Sequence, residues 1–251
     1  MVYLMKLCPL DDFSFPPFIK KGEFGYLKQF PQVLYGLIEY DNSVYTDDLF
    51  PQLVQPFPEK LRKSVTKRKA EFLAGRYCCS KLLRIAGARS THVGSQKGIP
   101  IWPLGWYGSI SHTDSYVIVA LVNETQSLMP GVDIEKYDSK LLLSVVDMFS
   151  SPNELIILRA SALDYTWALL LLFSAKESLF KSLWPETVVG VDFHFANLIS
   201  IDVVQQTFTL ALSSSLSSRL YVGKRITGRY VFFNDCVITF VGFLRTEISL
   251  I

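Results

Sequence analysis

Gly131-Val132-Asp133-Ile134-Glu135 alternates apolar with acidic residues, the period of an extended segment on which Asp133 and Glu135 project from the same face. Two acids on one face can hold a hard cation such as Mg²⁺, which takes oxygen ligands, keeps waters and shares phosphate oxygens of a substrate. By itself the pair also fits a solvated strand face. Upstream, residues 107–111 and 115–122 read as strands, the second through its β-branched run Val117, Ile118 and Val119. Residues 66–86 carry Phe72, Leu73, Tyr77, Leu82, Leu83 and Ile85 at helical spacing, with Gly87 as the C-terminal stop. Downstream, Ser151-Pro152-Asn153-Glu154 is a capping box with proline at the first helical position, and a longer helix spans 164–183. Residues 198–204, 207–212, 229–233 and 237–243 read as strands, the first three partly alternating. Pro9, Pro16, Pro17, Pro31, Pro51, Pro56 and Pro58 favour short strands and loops in residues 1–65. Helix and sheet thus occur in both halves, which predicts an α+β fold of two lobes, 1–127 and 128–251, joined within 123–130.

The chain has 251 residues, 49% of them hydrophobic, enough for one large core or two modest ones and against disorder. Lys and Arg number 25 against 23 Asp and Glu, a formal charge of +2. So small an imbalance draws the molecule neither to nucleic acid nor to an anionic membrane, and any basic site must be local. The longest apolar run, 167–173, is far short of the roughly 18 residues that span a bilayer, and residues 1–15 lack the apolar core of a signal peptide. A soluble, cytoplasmic monomer with no membrane segment and no nucleic-acid partner is expected. Cys8, Cys78, Cys79 and Cys236 show no C-x-x-C spacing, so neither a zinc site nor a disulfide framework is indicated.

Three further clusters could carry chemistry. In Phe173-Ser174-Ala175-Lys176-Glu177-Ser178-Leu179-Phe180-Lys181, Glu177 and Lys181 are helix neighbours, which also describes an ordinary surface ion pair. Lys60, Arg62, Lys63, Lys67, Arg68 and Lys69 precede Arg76, and at 100° per residue Lys69 and Arg76 differ by roughly 20°, so one side of a helix could meet a phosphate with several cations. A solvated charge run is the alternative. Lys97-Gly98-Ile99-Pro100-Ile101-Trp102-Pro103 is a stiff loop before Gly108-Ser109-Ile110-Ser111-His112, and its proline and aromatic wall could pack a purine. Ser111 and His112 do not form a hydrolase pair, because adjacent strand residues face opposite ways and no elbow glycines surround the serine. His92 and His194 carry no motif.

Taken together, these clusters resemble the 4'-phosphopantetheinyl transferases, in particular the branch that includes the transferase component of enterobactin synthase in siderophore pathways. Arg68, Glu71, Gly75 and Arg76 resemble the first helix motif of that branch. Gly98, Pro100, Trp102, Pro103, Gly108, Ser109, Ser111 and His112 resemble its middle motif, and 131–135 with 174–181 resemble the two metal motifs of the superfamily. Phe173 stands where many relatives have tryptophan. The resemblance implies two pseudo-twofold related lobes, the first binding the nucleotide of coenzyme A, the second holding the Mg²⁺ site and docking the carrier, with the active site in the cleft between them. By position, Asp133, Glu135 and Glu177 match Mg²⁺ ligands, and Lys176 and Lys181 match lysines near the pyrophosphate and reacting centre. Arg68, Arg76 and His112 match groups that hold the nucleotide phosphates; Lys97, Pro100 and Ser111 complete the coenzyme-binding set.

The implied reaction is attack of a carrier-protein serine on the β-phosphate of coenzyme A, expelling 3',5'-adenosine bisphosphate. Its partner would be an apo carrier protein or a carrier domain of a nonribosomal peptide synthetase. Fixed positive charge on the developing oxyanions suits it, with Glu177, Lys181 or a water as the proton acceptor. A metal-dependent phosphodiesterase would use the same acids but usually needs further His or Asp ligands, and a non-catalytic coenzyme A or carrier-binding module would not need all three acids.

Overall fold

The computed structural model describes residues 13–96, 98–183 and 192–248; Lys97 and Cys8 lie outside them. The described residues up to Gln126 form one compact unit and those from Ser127 onward a second. The first contains β1 (Phe13–Phe15), β2 (Ile19–Leu27), β3 (Phe30–Tyr40), a short α1 (Leu49–Gln52), α2 (Thr66–Ile85), a β4–β5 ribbon (Gly94–Gln96, Ile99–Ile101), β6 (Trp106–His112) and β7 (Tyr116–Asn123). Its main sheet is antiparallel in the order β1-β2-β3-β7-β6. Packed against it, α2 buries Leu73, Ala74, Cys78 and Leu82 with Phe24, Ile38, Val117, Val119 and Leu121. The helix ends where expected, with Gly87 at φ +75° and its N–H on the Arg84 carbonyl.

Short strands and loops are the expectation for residues 1–65, yet β2 and β3 are nine and eleven residues long. Pro31 does not break β3, because pairing with β7 starts only at Val33 and the β2 ladder slips between the Leu27–Phe30 and Tyr26–Leu34 pairs. The proline thus falls outside both regular ladders, where its missing N–H costs nothing.

The second unit contains β8 (Leu128–Lys136), α3 (Ser139–Phe149), α4 (Pro152–Ala160), α5 (Tyr165–Leu183), β9 (Ala196–Asp202), β10 (Thr207–Leu212), β11 (Arg225–Phe233) and β12 (Cys236–Leu244). Its sheet is antiparallel, in the order β8-β12-β11-β10-β9, with α5 packed on β8 and β12. As an edge strand β8 tolerates Pro130. Ser151 caps α4 in both directions of the capping box. No element is assigned to residues 137–150 from the sequence, yet Leu142, Val145, Val146 and Phe149 recur at helical spacing and α3 forms there. Leu142 and Phe149 are buried, with Val146 half-buried, whereas Leu141 and Met148 are exposed. The start of α3 is fixed by Asp138, whose carboxylate accepts the Leu141 N–H at 3.0 Å.

Candidate active site

The acidic site is built by β8 and α5 in the second unit. A Cβ on Gly131 would lie 1.9 Å from the Ser178 carbonyl oxygen, so the absent side chain is what lets α5 lie directly on β8. This close approach brings α5 residues to Asp133, which is fully buried. The Ser174 hydroxyl donates to Asp133 Oδ2 at 2.7 Å, and Lys181 Nζ donates to Oδ1 at 2.5 Å. Opposite Asp133 in the β8–β12 ladder, Thr239 donates its hydroxyl to the Ser174 carbonyl at 2.8 Å.

Glu135 and Glu177 complete the cluster, and burial is the chief cause that holds both above the ordinary carboxyl range. Burial first, then Asp133 and Glu177, push the Glu135 carboxyl up to about 8, with Lys181 opposing them. Burial likewise raises Glu177, against the pull of Lys181. Three carboxyl groups with one ammonium in a low-dielectric setting favour capture of another cation, and an all-oxygen donor set fits a hard one. Among the described residues no three ligating side chains form a ready-made metal cluster. An all-oxygen donor set of this kind is the chemistry a hard cation such as Mg²⁺ takes.

The basic site belongs to the first unit. On α2, Arg68 Nη1 lies 3.1 Å from His112 Nε2 at the end of β6 and 3.4 Å from Glu71 Oε2, while His112 Nδ1 lies 3.8 Å from the same Glu71 oxygen. Glu71 therefore contacts both the guanidinium and the imidazole. Arg76 is turned into a pocket of about 230 Å³ lined by Lys60, Phe72, His92, Gly94 and Ser95 among others. Its guanidinium lies 4.5 Å from the Phe72 ring centre and donates to the Gly94 carbonyl at 3.1 Å, while Nε has no partner. Burial draws its pKa down, so an anion there would relieve an unfavourable environment. Lys69 does not share that pocket; it pairs with the half-exposed Asp47 at 3.2 Å, a contact worth at most about 1 kcal/mol. Pro100 lies in the β4–β5 ribbon opposite Ser95, and Ser111 is buried on the β6 face opposite to that of His112.

Lys176 departs from its expected place near the pyrophosphate. It is fully buried, and its ammonium donates to the Phe149 carbonyl at 2.8 Å and to Glu154 Oε2 at 3.1 Å, with Glu154 Oε1 2.9 Å away. The cause is helical rotation: consecutive residues differ by about 100°, so Glu177 and Lys176 cannot face the same way. The spacing of Ser174 and Lys181 on α5 could have announced their meeting with Asp133. Nothing local announces Thr239 or the second role of Glu154.

Two family models match the chain: the 4'-phosphopantetheinyl transferase N-terminal domain over residues 57–122, and the 4'-phosphopantetheinyl transferase superfamily over residues 129–240. The chain is 36% identical to enterobactin synthase component D of Salmonella typhi over 172 residues, 66% of this chain and 68% of that protein. It is 33% identical to the Salmonella typhimurium protein of the same name over 191 residues, 73% and 76% of the two chains. It is also 34% identical to the 4'-phosphopantetheinyl transferase Svp of Streptomyces mobaraensis over 163 residues, 62% and 65% of the two.

Proposed function

The chain belongs to the 4'-phosphopantetheinyl transferase superfamily, and on that premise we propose that it transfers the 4'-phosphopantetheine arm of coenzyme A to a serine of an apo carrier protein or carrier domain. The bond that breaks joins the β-phosphorus to the bridging oxygen, and 3',5'-adenosine bisphosphate leaves. The observation that carries the reading is the buried Asp133, held by Ser174 and Lys181 in the same charged cluster as Glu135 and Glu177. Asp133, Glu135 and Glu177 would hold Mg²⁺, which when bound supplies positive charge against the pyrophosphate oxygens. Lys181 adds fixed positive charge to the same group. Glu177, made more basic by burial, is suited to accept the proton of the attacking serine.

Arg68, with His112 beside it, and Arg76 are suited to the nucleotide phosphates, the two guanidinium groups as cations that bind anions through several N–H donors. A role for Lys97, Pro100 and Ser111 in lining the coenzyme site belongs to the same proposal, as does carrier docking on the second unit. The enterobactin synthase relatives support a carrier of a nonribosomal peptide siderophore assembly line. Among the described residues no helix is long and apolar enough to cross a membrane. Cys78, Cys79 and Cys236 are buried thiols rather than disulfides, which supports a reducing compartment such as the cytoplasm.

Incubation with coenzyme A, Mg²⁺ and an apo carrier domain should add one phosphopantetheine to the carrier, read by mass spectrometry. The gain should vanish with Asp133→Ala. An Asp133→Ala protein that transfers at the wild-type rate under limiting Mg²⁺ overturns the assignment of the site.

A further inference from the structure

Glu154 and Lys176 are each fully buried, and between them they join four elements. Glu154 Oε2 accepts the Ser151 N–H at 2.8 Å and so closes the N-terminus of α4, while Oε1 accepts the Leu198 N–H of β9 at 2.7 Å. Lys176, in the middle of α5, reaches both carboxylate oxygens and the carbonyl of Phe149, the last residue of α3. Two of the three N–H donors of the ammonium go to Glu154 Oε2 and the Phe149 carbonyl, and Glu154 Oε1 lies 2.9 Å from it. With no exposed surface, Lys176 could touch a substrate only by leaving the buried Glu154 carboxylate without its cation, which is strongly unfavourable.

The pair nevertheless bears on the acidic site, because Lys176 precedes Glu177 on the same helix. On the sheet side, Gly131 sets how closely α5 approaches β8, and Ser174 holds the helix to Asp133 and Thr239. On the other side Lys176 ties the same helix to α3, α4 and β9, so that its rotation is held from both faces.

We infer that Lys176, locked on Glu154, is a positioning residue that sets the rotation of α5 and thereby presents Glu177 and Lys181 to Asp133 and Glu135, without contacting coenzyme A. The inference rests on the transferase reading given above. Removing partners that orient a metal-binding residue commonly lowers activity or metal affinity by about 10- to 100-fold.

The test compares Lys176→Met, Glu154→Gln and the double variant with wild type, by transfer kinetics and by calorimetric affinities for coenzyme A and for Mg²⁺, well below each melting temperature. Both single variants should lose about tenfold or more in kcat and bind Mg²⁺ more weakly, while coenzyme A affinity stays within about threefold of wild type. The double variant, with both charges removed, should be no worse than the poorer single one. If Lys176→Met does not fold, Glu154→Gln decides alone, since it keeps the lysine and an acceptor oxygen. The inference is overturned if Glu154→Gln keeps wild-type kcat, or if Lys176→Met chiefly weakens coenzyme A, as a direct phosphate contact would. Failure of wild-type protein to transfer at all would instead overturn the transferase reading, and the inference with it.

Discussion

Glu135 shows how a single residue couples the site to stability. Its carboxyl is pushed from the ordinary 4.5 to about 8, so the folded protein binds that proton more tightly than the unfolded chain does. Tighter proton binding in the folded state means that stability is lost as pH rises from about 4.5 to about 8 and is level beyond it. Glu135→Gln removes this dependence, so in EDTA the variant should melt higher than wild type at pH 8 and show little advantage at pH 5. Added Mg²⁺ should then raise the melting temperature of wild type much more than that of the variant; equal gaps at both pH values would count against the charge-crowding account. In the first unit, Arg76 is a buried cation in a pocket with Lys60. Arg76→Ala should weaken coenzyme A about tenfold more than dephospho-coenzyme A, because only the former carries the 3'-phosphate that a buried guanidinium would hold. Equal calorimetric losses would pass that role to Arg68 or His112.

The strand and helix of the acidic site form one device whose fit depends on Gly131. Gly131→Ala sets a methyl group against the Ser178 carbonyl oxygen and the Ser182 backbone, neither of which can swing aside. Overpacking of this kind costs about 1–3 kcal/mol, and here it also pushes α5 off Asp133. Chemical denaturation should show that loss together with a fall in kcat, and a variant of wild-type stability and rate would show that α5 does not need the close approach. Which elements are legible in the chain follows from where their signals lie. The capping box at Ser151 and the helix stop at Gly87 are local backbone chemistry, and both stand where the residues put them. Asp133 and Glu135 share a face by strand period alone, and Ser174 and Lys181 come to Asp133 by helical repeat. The length of β3 is not legible, because Pro31 is harmless only by virtue of a ladder slip that depends on β2 and β7. Nor is the setting of Lys176, whose partner Glu154 is 22 residues away and reads locally as no more than half of a capping box.

For the whole molecule, a net charge of +2 provides almost no long-range attraction, so a carrier domain must be recognised by a local surface. The second unit offers one on α3, separated from β8 only by Tyr137 and Asp138. Leu141 and Met148 are 58% and 70% exposed and, seven residues apart, lie on one side of the helix with the half-buried Val145 between them. The exposed charges beside this stripe, Lys140 and Asp147, have opposite signs, so the contact it offers is mainly apolar. If a carrier docks there, transfer should depend only weakly on salt, because screening acts on charges at the rim and leaves apolar burial in place. The KM for an apo carrier domain should rise less than about tenfold between roughly 50 and 500 mM NaCl at saturating coenzyme A and Mg²⁺. Leu141→Ser with Met148→Ser should raise that KM about tenfold while leaving coenzyme A affinity unchanged, because neither residue belongs to the acidic or basic cluster and a lost apolar anchor of this size contributes on the order of 1–2 kcal/mol. A steep salt dependence combined with an unchanged KM in the double variant would move the carrier away from α3 and onto the basic run between Lys60 and Lys69, where charge rather than apolar contact would govern encounter.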